Sequence, residues 1–205
     1  MKKVAITGNI GSGKSWVCQL FERIGIPIFH SDDEAKRLYD REEVRIAMKE
    51  RFGEEVYFSD GQVNRKRVAD IIFNDAEAMR DVEQILYPIL NGWFDEWAEM
   101  QEAPYVLYES AIIFEKHLEE RFDAIILVSA TEETRLRRVM LRDHCEEEVV
   151  RERMAAQWPE NEKREKADYI IEHDADDEDE TLLEQVVQVH EDLLPSHKFH
   201  FFSKK

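Results

Sequence analysis

The sequence predicts a three-layer α/β/α sandwich built on a five-stranded parallel sheet. Three observations predict it. A short apolar strand, Val4-Ala5-Ile6, runs straight into a glycine-rich turn, and an amphipathic helical pattern follows the turn. Further short apolar runs then alternate with helical patterns along the chain. The clearest of them, Ala124-Ile125-Ile126-Leu127-Val128, is apolar throughout, which suits a parallel strand covered on both faces.

The first turn carries the sharpest chemistry. Gly8-Asn9-Ile10-Gly11-Ser12-Gly13-Lys14-Ser15 has the spacing G-x-x-x-x-G-K-[ST]. A polyphosphate explains each fixed position. Glycines let successive backbone N–H groups converge on an anion. Lys14 places an ammonium on the outer phosphates, and Ser15 offers a hydroxyl to Mg²⁺. The helix that starts here aims its positive dipole end at the same place. Its apolar residues Val17, Leu20, Phe21 and Ile24 follow helical spacing.

Ile26-Pro27-Ile28-Phe29 reads as the second strand, after Gly25 closes the first helix. It delivers His30-Ser31-Asp32-Asp33 to a strand's carboxyl end, where open α/β sheets bind ligands. Asp32 and Asp33 read either as caps for the next helix or as the carboxylate a phosphate-loop enzyme needs near Mg²⁺ and the attacking hydroxyl. The preceding loop favours the second reading. Residues 42–52 look helical, ended by Gly53, and Asp60-Gly61 is a turn. Arg65, Lys66 and Arg67 then form a basic cluster in an acidic protein: an anion site or an idle solvated patch. Val82, Ile85, Leu86, Ile89, Leu90, Trp93, Phe94 and Trp97 make one helical face, read as core packing, with Pro88 expected to kink or divide it.

Tyr105-Val106-Leu107-Tyr108 is the third strand, and Glu109 at its end needs a cation or a ligand as partner. Thr131-Glu132-Glu133-Thr134 opens a helix after the fourth strand. Arg135, Arg138 and Arg142 lie at i, i+3 and i+7 on it and so share one face. Acidic neighbours could satisfy them on the surface, or the face can close over a triphosphate, and the phosphate loop favours the second reading. A second helical piece runs from Glu147 to Trp158, with Pro159 ending it, and Ala167 to Ile171 is the fifth strand. The acidic run from Glu172 to Glu180 reads as a solvated loop. A last amphipathic helix carries Leu182, Leu183, Val186, Val187 and Val189, and the tail bears Phe199, Phe201 and Phe202.

Composition narrows the partners. The 205 residues carry a formal charge of −18, which excludes a nucleic-acid partner and docking on an anionic membrane. No apolar run approaches the ~20 residues of a membrane span. Met1-Lys2-Lys3 leads directly into the functional core, so no cleaved signal is expected. Cys18 and Cys145 lie far apart without metal spacing and fit free thiols in a reducing cytoplasm.

With these residues in place the sequence resembles the dephospho-CoA kinase family over nearly its whole length. The resemblance rests on Gly8 to Ser15, on Ile28-Phe29-His30-Ser31-Asp32, on Phe52-Gly53 and Asp60-Gly61 to Arg65, and on Leu86-Tyr87-Pro88. It continues through Glu109-Ser110-Ala111-Ile112-Ile113-Phe114-Glu115, Arg138, Arg142, Gln157 and Ala167-Asp168. His30, Trp16, Tyr87, Glu109, Ala111 and His173 depart from the family's usual residues. His30 leaves Asp32 as the single carboxylate on its segment.

The resemblance implies a P-loop kinase fold with a helical acceptor-binding insert at 59–101 and an arginine-bearing lid at 131–159. The nucleotide-binding core comprises 1–58, 102–130 and 160–205. It implies transfer of the ATP γ-phosphoryl group to the ribose 3′-hydroxyl of dephospho-CoA, with Mg²⁺ held at Ser15 and Asp32. Asp32 is the implied base, assisted by Lys14, Arg138 and Arg142. ATP would lie along Gly8 to Trp16 with Arg138 and Arg142, and the acceptor against Asp32, Arg65, Tyr87 and Glu109. A monomer or weak homo-oligomer is expected. A guanine-selecting Asn-Lys-x-Asp segment is missing, which sets a GTPase-like switch aside.

Overall fold

The computed structural model describes residues 1–174 and 180–195. The chain divides into two compact units, residues 1–28 with 102–205 and residues 29–101. The second unit takes in 29–58 together with the expected insert of 59–101.

The first unit is built on the sheet. The sheet's strands are β1 (Lys2–Thr7), β2 (Ile28–His30), β3 (Tyr105–Glu109), β4 (Ala124–Ser129) and β5 (Tyr169–Glu172), of which β2 runs across the boundary between residues 28 and 29. They lie in the order β2-β3-β1-β4-β5. β1 is central and parallel to both neighbours, with Ile6 opposite Glu109 on one side and Ile126 on the other. The ligand crevice of such a sheet lies at the carboxyl ends of the strands, where connections leave β1 in opposite directions.

Val4, Ile6, Leu107, Ile126 and Val128 point to one face. There they pack with Val17 and Phe21 of α1 (Lys14–Arg23). Val186 and Val189 of the final helix, Glu180–Leu193, join the same cluster. The opposite-face residues Ala5, Val106, Tyr108, Ile125 and Leu127 are buried too, which explains why these strands read as unbroken apolar runs. Cys18 is buried in α1, and burial pushes its thiol up to about 12, an inert group at neutral pH.

The second unit is helical, with α2 (Ser31–Leu38), α3 (Glu42–Phe52), α4 (Arg65–Asn74) and α5 (Ala76–Glu99). Asp75 caps α5 by accepting from the N–H groups of Glu77 and Ala78 at 2.8 and 3.1 Å. Phe29, Phe94 and Trp97 form an aromatic cluster, with centroids 5.2 to 6.2 Å apart. The aromatic stripe is core, as its spacing suggests. Pro88, however, does not divide the helix: α5 runs through it for 24 residues. Val82, Leu86, Leu90 and Phe94 form one buried i, i+4 row on both sides of Pro88, so packing carries the helix past it.

The stretch expected as a lid, 131–159, contains α6 (Glu132–Asp143), capped by Thr131, and α7 (Glu147–Ala155). A further helix, α8 (Glu160–Lys166), follows Pro159 where the sequence gives no apolar signal. The final helix, Glu180–Leu193, is α9. Most of the acidic loop and all of the aromatic tail lie outside the described residues; Glu172 itself belongs to β5, and the Asp174 carboxylate accepts from Thr131.

Candidate active site

The glycine-rich turn sits between β1 and α1, at the carboxyl end of the central strand. Its shape is set at two positions. Gly11 and Gly13 have φ of +81° and +85°, in the left-handed region that side chains resist. The space around them is also occupied. A Cβ on Gly11 would stand 2.5 Å from the Arg135 carbonyl oxygen, and one on Gly13 would collide with the His173 ring. Ser12 N–H donates back to Asn9 O at 3.0 Å, closing the turn. Trp16, in the next helical turn, is half-buried, and its backbone N–H donates to Gly13 O at 2.9 Å.

Lys14, the first residue of α1, forms an ion pair with Glu109. Their side chains are 12% and 11% exposed, so neither charge is left to bulk water. Glu109 reaches it because β1 and β3 are in register, Ile6 opposite Glu109. The charged residue at the end of the third strand thus has its cation, one of the two partners its sequence context required. Ser15 lies exposed beside Lys14. The hydroxyls of Thr7 and Ser12 are buried with no hydrogen-bond partner among the described residues. Buried hydroxyls of this kind are satisfied by a ligand or by water, and they border the loop that converging amides make fit for phosphate.

The three arginines of α6 have different partners. Arg138 lies on the loop: its guanidinium donates to His173 O at 2.8 Å and Ser12 O at 3.5 Å. Arg142 is exposed and bidentate on Asp143, at 2.7 and 3.1 Å. Arg153 of α7 joins the same carboxylate at 2.8 Å. The Arg142 guanidinium holds the Asp143 carboxyl below its ordinary value. Arg135 is buried and spent internally, on Ala130 O at 3.1 Å and on Glu160 at 3.2 Å. The expected three-arginine face is therefore corrected: Arg135 is a structural member, because α8 places Glu160 against it.

In the second unit Asp32 is exposed in the first turn of α2. It is not the cap: His30 holds that position, without a side-chain cap. The neighbouring Asp33 pairs with Lys36 at 2.8 Å, and this bond lowers its pKa. Arg65 opens α4 and donates to Lys36 O at 3.4 Å, tying α4 to α2, whose first turn carries Asp32. Trp93 of α5 donates to Glu34 of α2 at 3.0 Å. Arg67 is occupied with Glu55 at 3.2 Å, so the basic cluster is partly an internal pair. Tyr87 lies half-buried on α5.

One set of contacts escaped the sequence reading. Ile10 N–H donates to Gln157 Oε1 at 2.7 Å, and Asn9 donates to Trp158 O at 3.1 Å. The segment after α7 thus holds the phosphate loop. Lys163 is wholly buried, paired with Glu115 at 2.6 Å. Burial pulls Lys163 below the usual lysine value, and Glu115 opposes that shift. Glu115 in the apolar run Ile112-Ile113-Phe114 carried the same signal as Glu109. Lys163, in a stretch of alternating charges, carried none.

A glycine-rich loop at the carboxyl end of a parallel sheet, with Lys14 and Arg138 against it, defines a P-loop kinase. Residues 2–179 match the family described as dephospho-CoA kinase. The chain is 34% identical over 203 residues to the dephospho-CoA kinase of Syntrophotalea carbinolica, covering 97% of this chain and 95% of that one. Identity to the dephospho-CoA kinase of Thermus thermophilus is 37% over 176 residues, or 86% and 85% of the two chains. A crystal structure from Thermus thermophilus matches with a TM-score of 0.83 at 34% identity, covering 95% and 98%. The chain belongs to the dephospho-CoA kinase family.

Proposed function

We propose that this chain transfers the γ-phosphoryl group of ATP to the ribose 3′-hydroxyl of dephospho-CoA, releasing CoA and ADP. The observation that carries the reading is the glycine-shaped loop with Lys14 at its helix end, in a chain matched to the family over residues 2–179. The acceptor oxygen forms a bond to the γ-phosphorus while the bond from that phosphorus to the β–γ bridging oxygen breaks. Asp32 takes the hydroxyl proton. Loop amides and Lys14 hold the phosphates, and Arg138 and Arg142 offset charge as it moves to ADP. Arg65, Tyr87 and Glu109 are the acceptor-side residues.

Among the described residues no group of three or more His, Cys, Asp or Glu is placed to hold a metal alone. The donor set suits a cation shared with phosphates: Ser15 and Asp32 would hold Mg²⁺, which keeps much of its water and takes few protein ligands. Bound there, Mg²⁺ supplies neutralisation of phosphate charge. No described helix is long and apolar enough to cross a membrane. A net charge of −18 supports a chain that works on small molecules in the cytoplasm, as a monomer or weak homo-oligomer.

The test is ADP release measured with and without dephospho-CoA, beside shikimate and nucleoside monophosphates as acceptors. Release that depends on dephospho-CoA alone is expected. Equal release with every acceptor, or none, overturns the reading. Asp32→Asn should lower kcat by about 10²-fold with little change in KM for ATP. Wild-type turnover in that variant removes Asp32 from the mechanism.

A further inference from the structure

Phosphate loops face a physical difficulty before their ligand arrives. Several N–H dipoles point at one another, and within this loop a single backbone bond, Ser12 N–H to Asn9 O at 3.0 Å, closes the turn. The loop keeps its shape only if its outward groups are tied. Here two are tied, and by adjacent residues: Ile10 N–H to Gln157 Oε1 at 2.7 Å, and the Asn9 amide to Trp158 O at 3.1 Å. Neighbours fill the space around Gly11 and Gly13, whereas the Asn9 side of the loop is open. Asn9, Gln157 and Trp158 line a cavity of about 520 Å³, and the two hydrogen bonds cross its rim.

The tie has its own anchor. Trp158 N–H donates to Glu115 Oε1 at 3.0 Å, and the Trp158 ring stacks on Phe114 at 6.4 Å with an interplanar angle of 17°. The same Glu115 oxygen meets Lys163 at 2.6 Å, and Lys163 also donates to Ala111 O at 3.4 Å. The Lys163 side chain is 0% exposed and that of Glu115 12%. Burying such a pair gains little stability over apolar residues of similar size. What it does supply is direction, since a carboxylate shared by an ammonium and a peptide N–H admits few geometries.

We propose that Glu115 and Lys163 are positioning residues for nucleotide binding: their buried ion pair fixes the Gln157–Trp158 segment, which in turn holds the phosphate loop open for the anion. The inference rests on the ATP-binding reading above and goes beyond it, because Glu115 and Lys163 are bonded to the Gln157–Trp158 side of the loop rather than assigned to the nucleotide. Lys163 is joined to the loop through Glu115 and the Gln157–Trp158 segment, which bonds Ile10 and Asn9.

The test measures MgADP binding by titration calorimetry on the full chain. It uses wild type, the pair deletion E115A/K163M, Q157A and the three combined. Deleting both partners avoids stranding a buried charge. Each single route should weaken MgADP about tenfold, and the combination by no more than about twice the larger loss, because both act through one tie. The core variant L182A should lose melting temperature yet bind MgADP within about twofold of wild type. Wild-type affinity in the pair deletion, losses that multiply in the combination, or an equal loss in L182A overturns the proposal. Should E115A/K163M fail to fold, Q157A alone decides: unchanged affinity there overturns it. A wild-type chain that binds no MgADP overturns the ATP reading itself, and this inference with it.

Discussion

The phosphate loop and helix α6 meet where Arg138 donates to Ser12 O, and they are built from different materials. The loop uses backbone, and α6 uses long side chains. In the loop Gly11 and Gly13 leave one shape available, with φ of +81° and +85° and neighbours already filling the space a Cβ would need. Its chemistry follows once those residues are present. In α6 three arginines at helical spacing end in three situations. Arg135 is held by Glu160, Arg138 lies on the loop and Arg142 is out in solvent on Asp143. Their side-chain exposure shows the division: 8% for Arg135 and 62% for Arg142. A guanidinium reaches far enough for the nearest carboxylate to decide its employment. Backbone function is therefore fixed locally, and side-chain function by whatever the rest of the fold brings near.

That contrast can be broken by experiment. The largest effect is expected at Lys14, where Lys14→Met should lower kcat/KM by about 10³-fold or more, read from steady-state rates. Gly13→Ala comes next. The added methyl meets the His173 ring, and its φ is unfavourable, so MgATP affinity should fall by about 10²-fold. A Gly13→Ala chain with normal affinity would show that the loop is less constrained than its geometry implies.

Arg142→Ala and Arg135→Ala should separate cleanly. The first should lower kcat about tenfold or more with unchanged melting. The second should cost about 3 kcal/mol in denaturant unfolding, because Glu160 loses its partner. If Arg135→Ala lost rate without stability, the division along α6 would be wrong.

The smallest effect is expected at Arg164 and Glu172, an exposed pair at 2.5 Å that calibrates what an arginine contributes at the surface. Arg164 holds the Glu172 carboxyl below its ordinary value. A carboxyl whose folded pKa is depressed stabilises fully above its unfolded pKa, and that contribution is lost as pH falls through the folded value. Glu172→Gln should thus lower Tm by about 1–2 °C at pH 7 and leave it unchanged near pH 3.

The same contrast governs what the sequence made legible. β1 and β4 stand out because both faces are covered, and the loop stands out because its glycines are spaced by phosphate geometry. β3 ends one residue beyond its apolar run, at Glu109, since Lys14 neutralises the charge there. α8 was hidden because Glu160–Lys166 contains no apolar residue. Its inward face is Glu160 and Lys163, made tolerable by Arg135 and Glu115, which lie 25 and 48 positions away. The continuation of α5 through Pro88 was hidden for a related reason, since local chemistry argued for a break and a long buried row overruled it. Asp32 was legible as a candidate from its place after a strand, while its freedom from capping duty depended on His30 occupying the cap position.

The central place of β1 has a consequence for synthesis. Lys2–Thr7 is made long before the strands that pair with it, Tyr105–Glu109 and Ala124–Leu127. At ~5–20 residues per second, the ribosome leaves this apolar segment waiting roughly 6–25 s for its neighbours to be made. Meanwhile residues 29–101 emerge, with helices whose contacts are near in sequence, and local contacts form fastest. The nascent chain therefore folds from its middle outward, and a chaperone that shields the amino terminus during that interval would raise the yield of native protein.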